Sequence, residues 1–218
     1  MHAVIPSLNY GDFLAATLPA WLALLPRRSI AVVTAPGDSE TIAVASRHGC
    51  ACMVTEAWHC DGALNKAAAL DKGFAAVPVG EWCLALDSDI FPFGKMPTLC
   101  ELDPNTLFSA PRFSCPTPDD LHAHITGQKQ KSEFSPIRMW RKRNHPDPAG
   151  LQGYFQLWRK RPDDSFGSFP TAAKYDVAFG KSFTKRAYLQ DLYVLHLGEH
   201  RRNWSGRVTP RWQEVVHA

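Results

Sequence analysis

The sequence predicts an α/β protein with a mainly parallel central sheet flanked by helices. Three observations lead there. Short apolar runs alternate with helix-period segments over roughly the first ninety residues, the pattern of βαβ units with right-handed crossovers. The run Trp82-Cys83-Leu84-Ala85-Leu86 is continuously apolar, as in a strand buried on both faces. The runs also give way to polar loops at Pro6, Ala35 and Asp87, at the sheet edge where α/β proteins bind ligands.

The elements follow in order. A strand over 3–5 ends in the polar turn Pro6-Ser7-Leu8-Asn9-Tyr10-Gly11. Tyr10, Leu14, Thr17, Leu18, Trp21 and Leu25 then recur at helical steps until Pro26 stops them. A second strand covers 30–34. Ser39 is the expected cap of a helix reaching about His48, with Gly49 as its stop. A short strand at 51–55, an alanine-rich helix at 62–74 and the strand at 82–86 complete this half. Beyond Gly94 the pattern loosens. A strand is expected at 106–109, a polar loop or insertion without clear period at about 115–150, and further strands at 153–158 and 194–197. Arg141-Lys142-Arg143 in the loop is either an anion site or a solvated basic face.

A length of 218 residues suits a single domain over 1–218, and an apolar fraction of 45% supports a core. The net charge of +3 predicts no electrostatic footprint for nucleic acid. With no apolar run of about 18 residues, no membrane span is expected. Met1-His2-Ala3-Val4-Ile5-Pro6 lacks the basic flank and apolar core of a signal peptide, so a cytoplasmic protein is expected. Cys50 and Cys52, with His48, His59 and Cys60 nearby, lack a Cys-x-x-Cys pair, which favours free thiols over zinc.

Asp87 and Asp89 carry the chemistry. If the strand stays extended, the two carboxylates project to one side. Like charges at the end of a buried strand need neutralising, and a divalent cation does this while keeping positions open for phosphate oxygens. A solvated turn is the plainer alternative. His196 stands at a second strand-to-loop transition, and Glu199 to Arg207 beyond it is polar and basic.

With these features the chain resembles the family 2 glycosyltransferases of the GT-A fold. Val4-Ile5-Pro6-Ser7-Leu8-Asn9-Tyr10 looks like that family's opening strand and nucleotide loop, which makes Pro6, Ser7 and Tyr10 substrate-binding candidates. Asp38 looks like the acid that faces the base. Asn65-Lys66, opening an Asn-Lys-rich helix, and Asp87-Ser88-Asp89, at the place of the Asp-x-Asp motif, extend the likeness. His196 in His-Leu-Gly resembles a late metal ligand, and Asn203-Trp204-Ser205-Gly206-Arg207 fits the ending of small members. Two departures stand out: the usual Asp-Asp-Gly-Ser is here Ala35-Pro36-Gly37-Asp38-Ser39, and the Glu-Asp pair that supplies the base is absent, leaving Asp176 nearest in position.

The resemblance implies a GT-A-type nucleotide-diphospho-sugar transferase fold and transfer, with inversion, from a donor such as a UDP-sugar to an acceptor hydroxyl on a glycan or another molecule. Asp87, Asp89 and His196 would hold Mn²⁺ or Mg²⁺ against the leaving diphosphate. His200, Asn203, Trp204 and Arg207 would bind the donor from the late loop, and Asp176 would be the base, unless it only caps a helix. A nucleotidyltransferase and a sugar-nucleotide-binding module without catalysis remain alternatives. The first lacks its Gly-rich phosphate loop, since Ser7 to Gly11 holds one glycine.

Overall fold

The structure is a computed structural model and describes residues 1–60, 63–137, 153–169, 174–199, 207–209 and 211–212. The chain runs β1 (His2–Pro6), α1 (Gly11–Leu24), β2 (Ile30–Thr34), α2 (Ser39–Arg47), β3 (Ala51–Val54), an antiparallel pair β4 (His59–Cys60) and β5 (Ala63–Leu64), α3 (Lys66–Phe74) and β6 (Trp82–Leu86). It continues through β7 (Ile90–Gly94), β8 (Thr106–Ser109), β9 (Arg112–Cys115), α4 (Pro118–Ile125), β10 (Phe155–Arg159), α5 (Tyr175–Lys181), β11 (Lys185–Tyr188) and β12 (Leu192–Leu197).

The main sheet has the order β11-β8-β10-β6-β1-β2-β3. Every strand in it runs the same way except β10, which is antiparallel to β6 and β8. A second sheet, β7-β12-β9, carries the late histidine strand. Alternation along the strands divides the core into two layers. Ile5, Leu84 and Leu86 face Leu14, Leu18 and Trp21 of α1. Val4, Cys83 and Ala85 face Leu70 and Phe74 of α3 and Phe179 of α5. Trp158 fills the second layer, edge-on to Phe74 and Phe179 at 5.0 Å each.

The helix α1 continues through Pro19, whose ring removes one backbone donor. Leu14, Leu18 and Trp21, all fully buried, hold it in place. Two side-chain hydrogen bonds then fasten it to the loop after β6: Thr17 Oγ1 donates to the Ser88 carbonyl and Trp21 Nε1 to the Ile90 carbonyl, each at 2.7 Å.

Several sequence expectations are corrected. The cap of α2 is Asp38, not Ser39: its carboxylate accepts the Thr41 N–H. The third helix begins at Lys66 rather than 62, because Asn65 caps it by accepting from Ala68 N–H. The interval expected to be loop contains α4, started by Thr117 as cap and Pro118 in its first turn. Strand β7 was not foreseen, because Pro92 argues against a strand. It lies at an edge of its sheet, where a missing N–H costs no ladder bond. The Arg141 cluster lies outside the described residues. Among the described residues no helix is long and apolar enough to cross a membrane.

The end of β7 turns at Gly94, with φ of +108°, where an added Cβ would sit 2.0 Å from the Asp191 carbonyl oxygen. Gly37, at φ of +88°, has open space around the same position. Gly37→Ala should therefore cost roughly 1–2 kcal/mol from backbone strain alone. Gly94→Ala should cost clearly more, because the β7–β12 ladder must also shift. Urea denaturation of both variants measures the difference, and equal midpoints would contradict it.

Candidate active site

Strand β6 ends at Leu86, and Asp87 to Ile90 form a tight turn closed by the Ile90 N–H on the Asp87 carbonyl at 3.3 Å. The two carboxylates are therefore brought together by a turn, not by strand alternation as the sequence reading had it. The turn is held from three sides: Tyr154 O accepts the Asp87 N–H, Thr17 takes the Ser88 carbonyl, and Leu197 N–H bonds the Asp89 carbonyl. Ser88 is buried with its backbone in this clamp.

Cations surround the pair. Lys66 Nζ, at the first position of α3, lies 2.5 Å from Asp87 Oδ1 and 5.9 Å from the centroid of the Tyr175 ring. Burial opposes the lysine's charge, but the Asp87 carboxylate more than offsets this and keeps it an ammonium. Burial pushes the carboxyl of Asp87 up from its ordinary value, against the pull of Lys66. Burial also raises Asp89, opposed by Lys66 and by Arg112 of β9. His196 Nε2 stands 3.7 Å from Asp89 Oδ2. Burial and the Asp89 charge raise the phenol of Tyr10 on the opposite wall.

The residues fit a divalent cation in part. Asp89 Oδ1 is buried and accepts no hydrogen bond among the described residues, a costly state that a cation would relieve. Asp89 and His196 are a carboxylate and an imidazole, a donor set suited to Mn²⁺. No group of three His, Cys, Asp or Glu side chains is assembled for a metal among the described residues, and Asp87 is turned to Lys66 instead.

Other predicted ligands are engaged in the protein itself. Asp38 is buried and accepts from Asn9 N–H and Thr34 Oγ1 at 2.8 Å each, so it ties the loop after β1 to α2. Ser7 is buried against the Thr41 hydroxyl, and Pro6 is the last residue of β1. Asn65 donates to Ser168 Oγ at 2.7 Å and accepts from Phe169 N–H, joining α3 to the segment before α5. Arg207, expected on a diphosphate, grips Asp12 with both terminal nitrogens and lies over the rings of Tyr10 and Phe13. Trp212 N–H also bonds Asp12, and its ring packs 5.4 Å from Phe13. His200, Asn203 and Trp204 lie outside the described residues.

Asp176 occupies the second position of α5, half-buried. Its Oδ2 accepts Gly153 N–H at 2.7 Å and its Oδ1 accepts Val177 N–H at 2.8 Å. Burial raises its carboxyl, and the charge of Asp87 adds to the rise while Lys66 opposes it. Gly153, bonded to Asp176, adjoins Tyr154, whose carbonyl accepts the Asp87 N–H, so Asp176 lies on the Asp87 side of the turn. Asp164, its nearest competitor in sequence, is buried in a structural pair with Arg161 and Trp158 Nε1. Arg112 was missed by the sequence reading, since a lone arginine in Arg-Phe-Ser-Cys carries no signal without the fold.

No family model matches the sequence, and no curated protein matches it. Among solved structures, mannosyl-3-phosphoglycerate synthase from Rubrobacter xylanophilus superposes with a TM-score of 0.50 at 19% identity, over 92% of this chain and 67% of that one. Glucosyl-3-phosphoglycerate synthase from Mycobacterium tuberculosis in complex with UDP gives 0.48 at 14% identity, over 93% and 72%. The fold is that of the GT-A nucleotide-diphospho-sugar transferases.

The Asp12 pair has a pH signature. Burial raises the Asp12 carboxyl, but Arg207 and the Trp212 N–H outweigh this and hold it below the ordinary carboxylate range. A carboxyl lowered by folding contributes stability that is full above its unfolded pKa and is lost as pH falls through the folded value. The contribution should therefore disappear below about pH 4. Asp12→Asn should be less stable than the parent at neutral pH, and the gap should narrow towards pH 3. Thermal unfolding across that range checks it, and a constant gap would contradict it.

Asn65→Ala should cost roughly 1–2 kcal/mol as a lost cap and loop anchor. Chemical denaturation reads that loss, and an unchanged midpoint would restore Asn65 to a purely ligand-binding role.

Proposed function

We propose that the protein is a metal-dependent glycosyltransferase, moving a sugar from a nucleotide-diphospho-sugar, a UDP-sugar, to an acceptor hydroxyl with inversion. The chain is read as one domain of that kind. The observation that carries this is the half-buried Asp89 beside the buried His196, set between the loop after β1 and Asp176 at the carboxyl edge of a mainly parallel sheet. The name of the Rubrobacter synthase describes a sugar transfer, which supports the reading by analogy of fold.

The loop Pro6–Tyr10, set rigidly by Asp38, Thr34 and Thr41, receives the nucleotide. Asp89 and His196 would hold the cation, with Asp87 and Lys66 beside them. When bound, Mn²⁺ or Mg²⁺ supplies positive charge against the departing diphosphate. Lys66 adds a fixed ammonium on the same side. Asp176 takes the proton of the acceptor hydroxyl. The freed oxygen bonds to the anomeric carbon as the bond from that carbon to the diphosphate oxygen breaks, and the nucleoside diphosphate leaves with the electron pair. The two backbone N–H groups on Asp176 hold its carboxylate in place, and each carboxylate oxygen has a second lone pair to accept the proton.

Asp89→Asn should weaken Mn²⁺-dependent UDP binding at least about tenfold while the fold persists. Titration calorimetry with and without Mn²⁺ measures this, and unchanged metal-dependent affinity would remove Asp89 from the site.

Asp176→Asn should lower turnover by roughly two to four orders of magnitude and keep UDP binding. Because burial raises Asp176 above 3.8, the acid limb of the parent's pH–rate profile should be displaced upward from the ordinary carboxylate range. Full turnover in the variant would exclude Asp176 as base. A parent that binds UDP and neither transfers nor hydrolyses a UDP-sugar would be a binding module.

A further inference from the structure

The seven-stranded sheet ends in β11 on one side and in β3 on the other. An outer strand presents a row of unpaired N–H and C=O groups to which a further strand can add, and proteins guard such edges with charge, proline or a cover. Among the described residues, the other outer strands of the two larger sheets are guarded. Strand β11 carries Lys185 and Arg186, β7 carries Pro92, and β9 is covered by backbone bonds to Ser135 and Ile137. Strand β3, Ala51-Cys52-Met53-Val54, has none of these devices among the same residues. Its Met53 and Val54 are 39% and 46% exposed, two adjacent apolar side chains on the open edge.

The ladder to β2 shows which backbone groups are left over. Thr34 pairs with Val54, and the Thr55 N–H bonds the Thr34 carbonyl at 2.9 Å. In a parallel ladder this phase turns the backbones of Ala51, Met53 and Thr55 towards β2 and those of Cys52 and Val54 outward. The outward pair is symmetric about Met53. Two copies of β3 laid antiparallel with Met53 on a two-fold axis therefore let Cys52 exchange N–H and C=O bonds with Val54 of the partner subunit, and the reverse.

The charges at the two ends of the strand fit the same arrangement. Arg27, Arg28 and Arg47 are exposed near the start of β3, with half-buried His48 among them, and Glu56 is exposed just past its end. Neither Arg47 nor Glu56 makes an ion pair among the described residues. In the Met53-centred register, Glu56 of the partner subunit falls beside Cys50, at the basic corner that ends α2. The two basic corners lie at opposite ends of the joint, so like charges do not meet. A parallel pairing would set acid on acid and base on base.

We infer that β3 is a self-association edge: two copies of the chain join antiparallel through Cys52–Val54 and extend the sheet across a two-fold axis. The joining strands run opposite ways, so the carboxyl edges of the two sheets, with their Asp89 turns, point in opposite directions. The inference is independent of the glycosyl-transfer reading and holds for any chemistry at that turn.

A four-residue strand makes a small joint, so the dimer is a reversible one. Sedimentation velocity on the whole chain from about 1 to 200 µM should show monomer giving way to dimer. Val54→Pro removes an outward N–H and no bond to β2, and it should stay monomeric throughout. Arg47→Glu and Glu56→Arg should each weaken association roughly tenfold, because each contact occurs twice in the dimer. The double variant Arg47→Glu/Glu56→Arg should recover the parent's association, a readout that a merely destabilised fold would not give. A parent that stays monomeric at every concentration would overturn the inference and leave the edge to another occupant or to none. So would a dimer that persists in Val54→Pro, or single reversals that leave association unchanged, because the joint would then lie elsewhere. Single reversals that weaken association without recovery in the double variant would overturn the antiparallel register.

Discussion

Two aspartates of the same charge in one buried turn are the constraint around which the rest of the site is arranged. Asp87 and Asp89 each lose solvation, and each raises the cost of ionising its neighbour. The fold answers with charge from separate elements, Lys66 from α3 and Arg112 from β9, and sets the His196 ring of β12 beside Asp89. Removing any one of these would leave an uncompensated carboxylate rather than merely a lost contact. The backbone of this charged turn is held by its carbonyls, Asp87 accepting from Ile90, Ser88 from Thr17, Asp89 from Leu197 and Ile90 from Trp21, and by the Asp87 N–H on Tyr154 O. The main chain is thus held by one set of groups and the countercharge comes from another.

The polar residues nearest the site split into two kinds. Asp38, Asn65 and Asp71 use their side chains to fix loops, Asp71 by accepting from Ser165, Phe166 and Gly167. Asp89, His196, Tyr10 and Asp176 are the residues on which the proposed chemistry would rest. A sequence cannot separate the kinds, because a carboxylate that holds backbone N–H groups and one that holds a substrate are the same residue type in the same kind of loop.

The strands at 30–34 and 82–86 were legible in the sequence to the residue, since a buried parallel strand is an apolar run with sharp ends. Helix α1 was legible from its period. Strand β7 was hidden by Pro92, and α4 by polar composition, although Thr117-Pro118-Asp119-Asp120 carries the signals of a helix start. Of the site, the Asp-x-Asp turn and His196 were visible as strand-to-loop transitions. Arg112 was not, because its position depends on β9 lying beside β12, a pairing between residues about eighty apart that no local pattern encodes. The contact of Arg207 with Asp12 was hidden for the same reason: the two are 195 residues apart.

That last contact has a consequence for how the molecule is made. Asp12 is in the first turn of α1 beside the loop after β1, and what holds it is Arg207 and Trp212, translated long after the helix they brace. Closing so long a loop is entropically slow, and the contact contributes nothing until its far end has been synthesised. On the ribosome the Asp12 carboxylate therefore lacks these partners while most of the chain emerges. That loop takes its final shape only once residue 207 has emerged, so a nascent chain halted before it would have most of its sheet and an unbraced loop after β1.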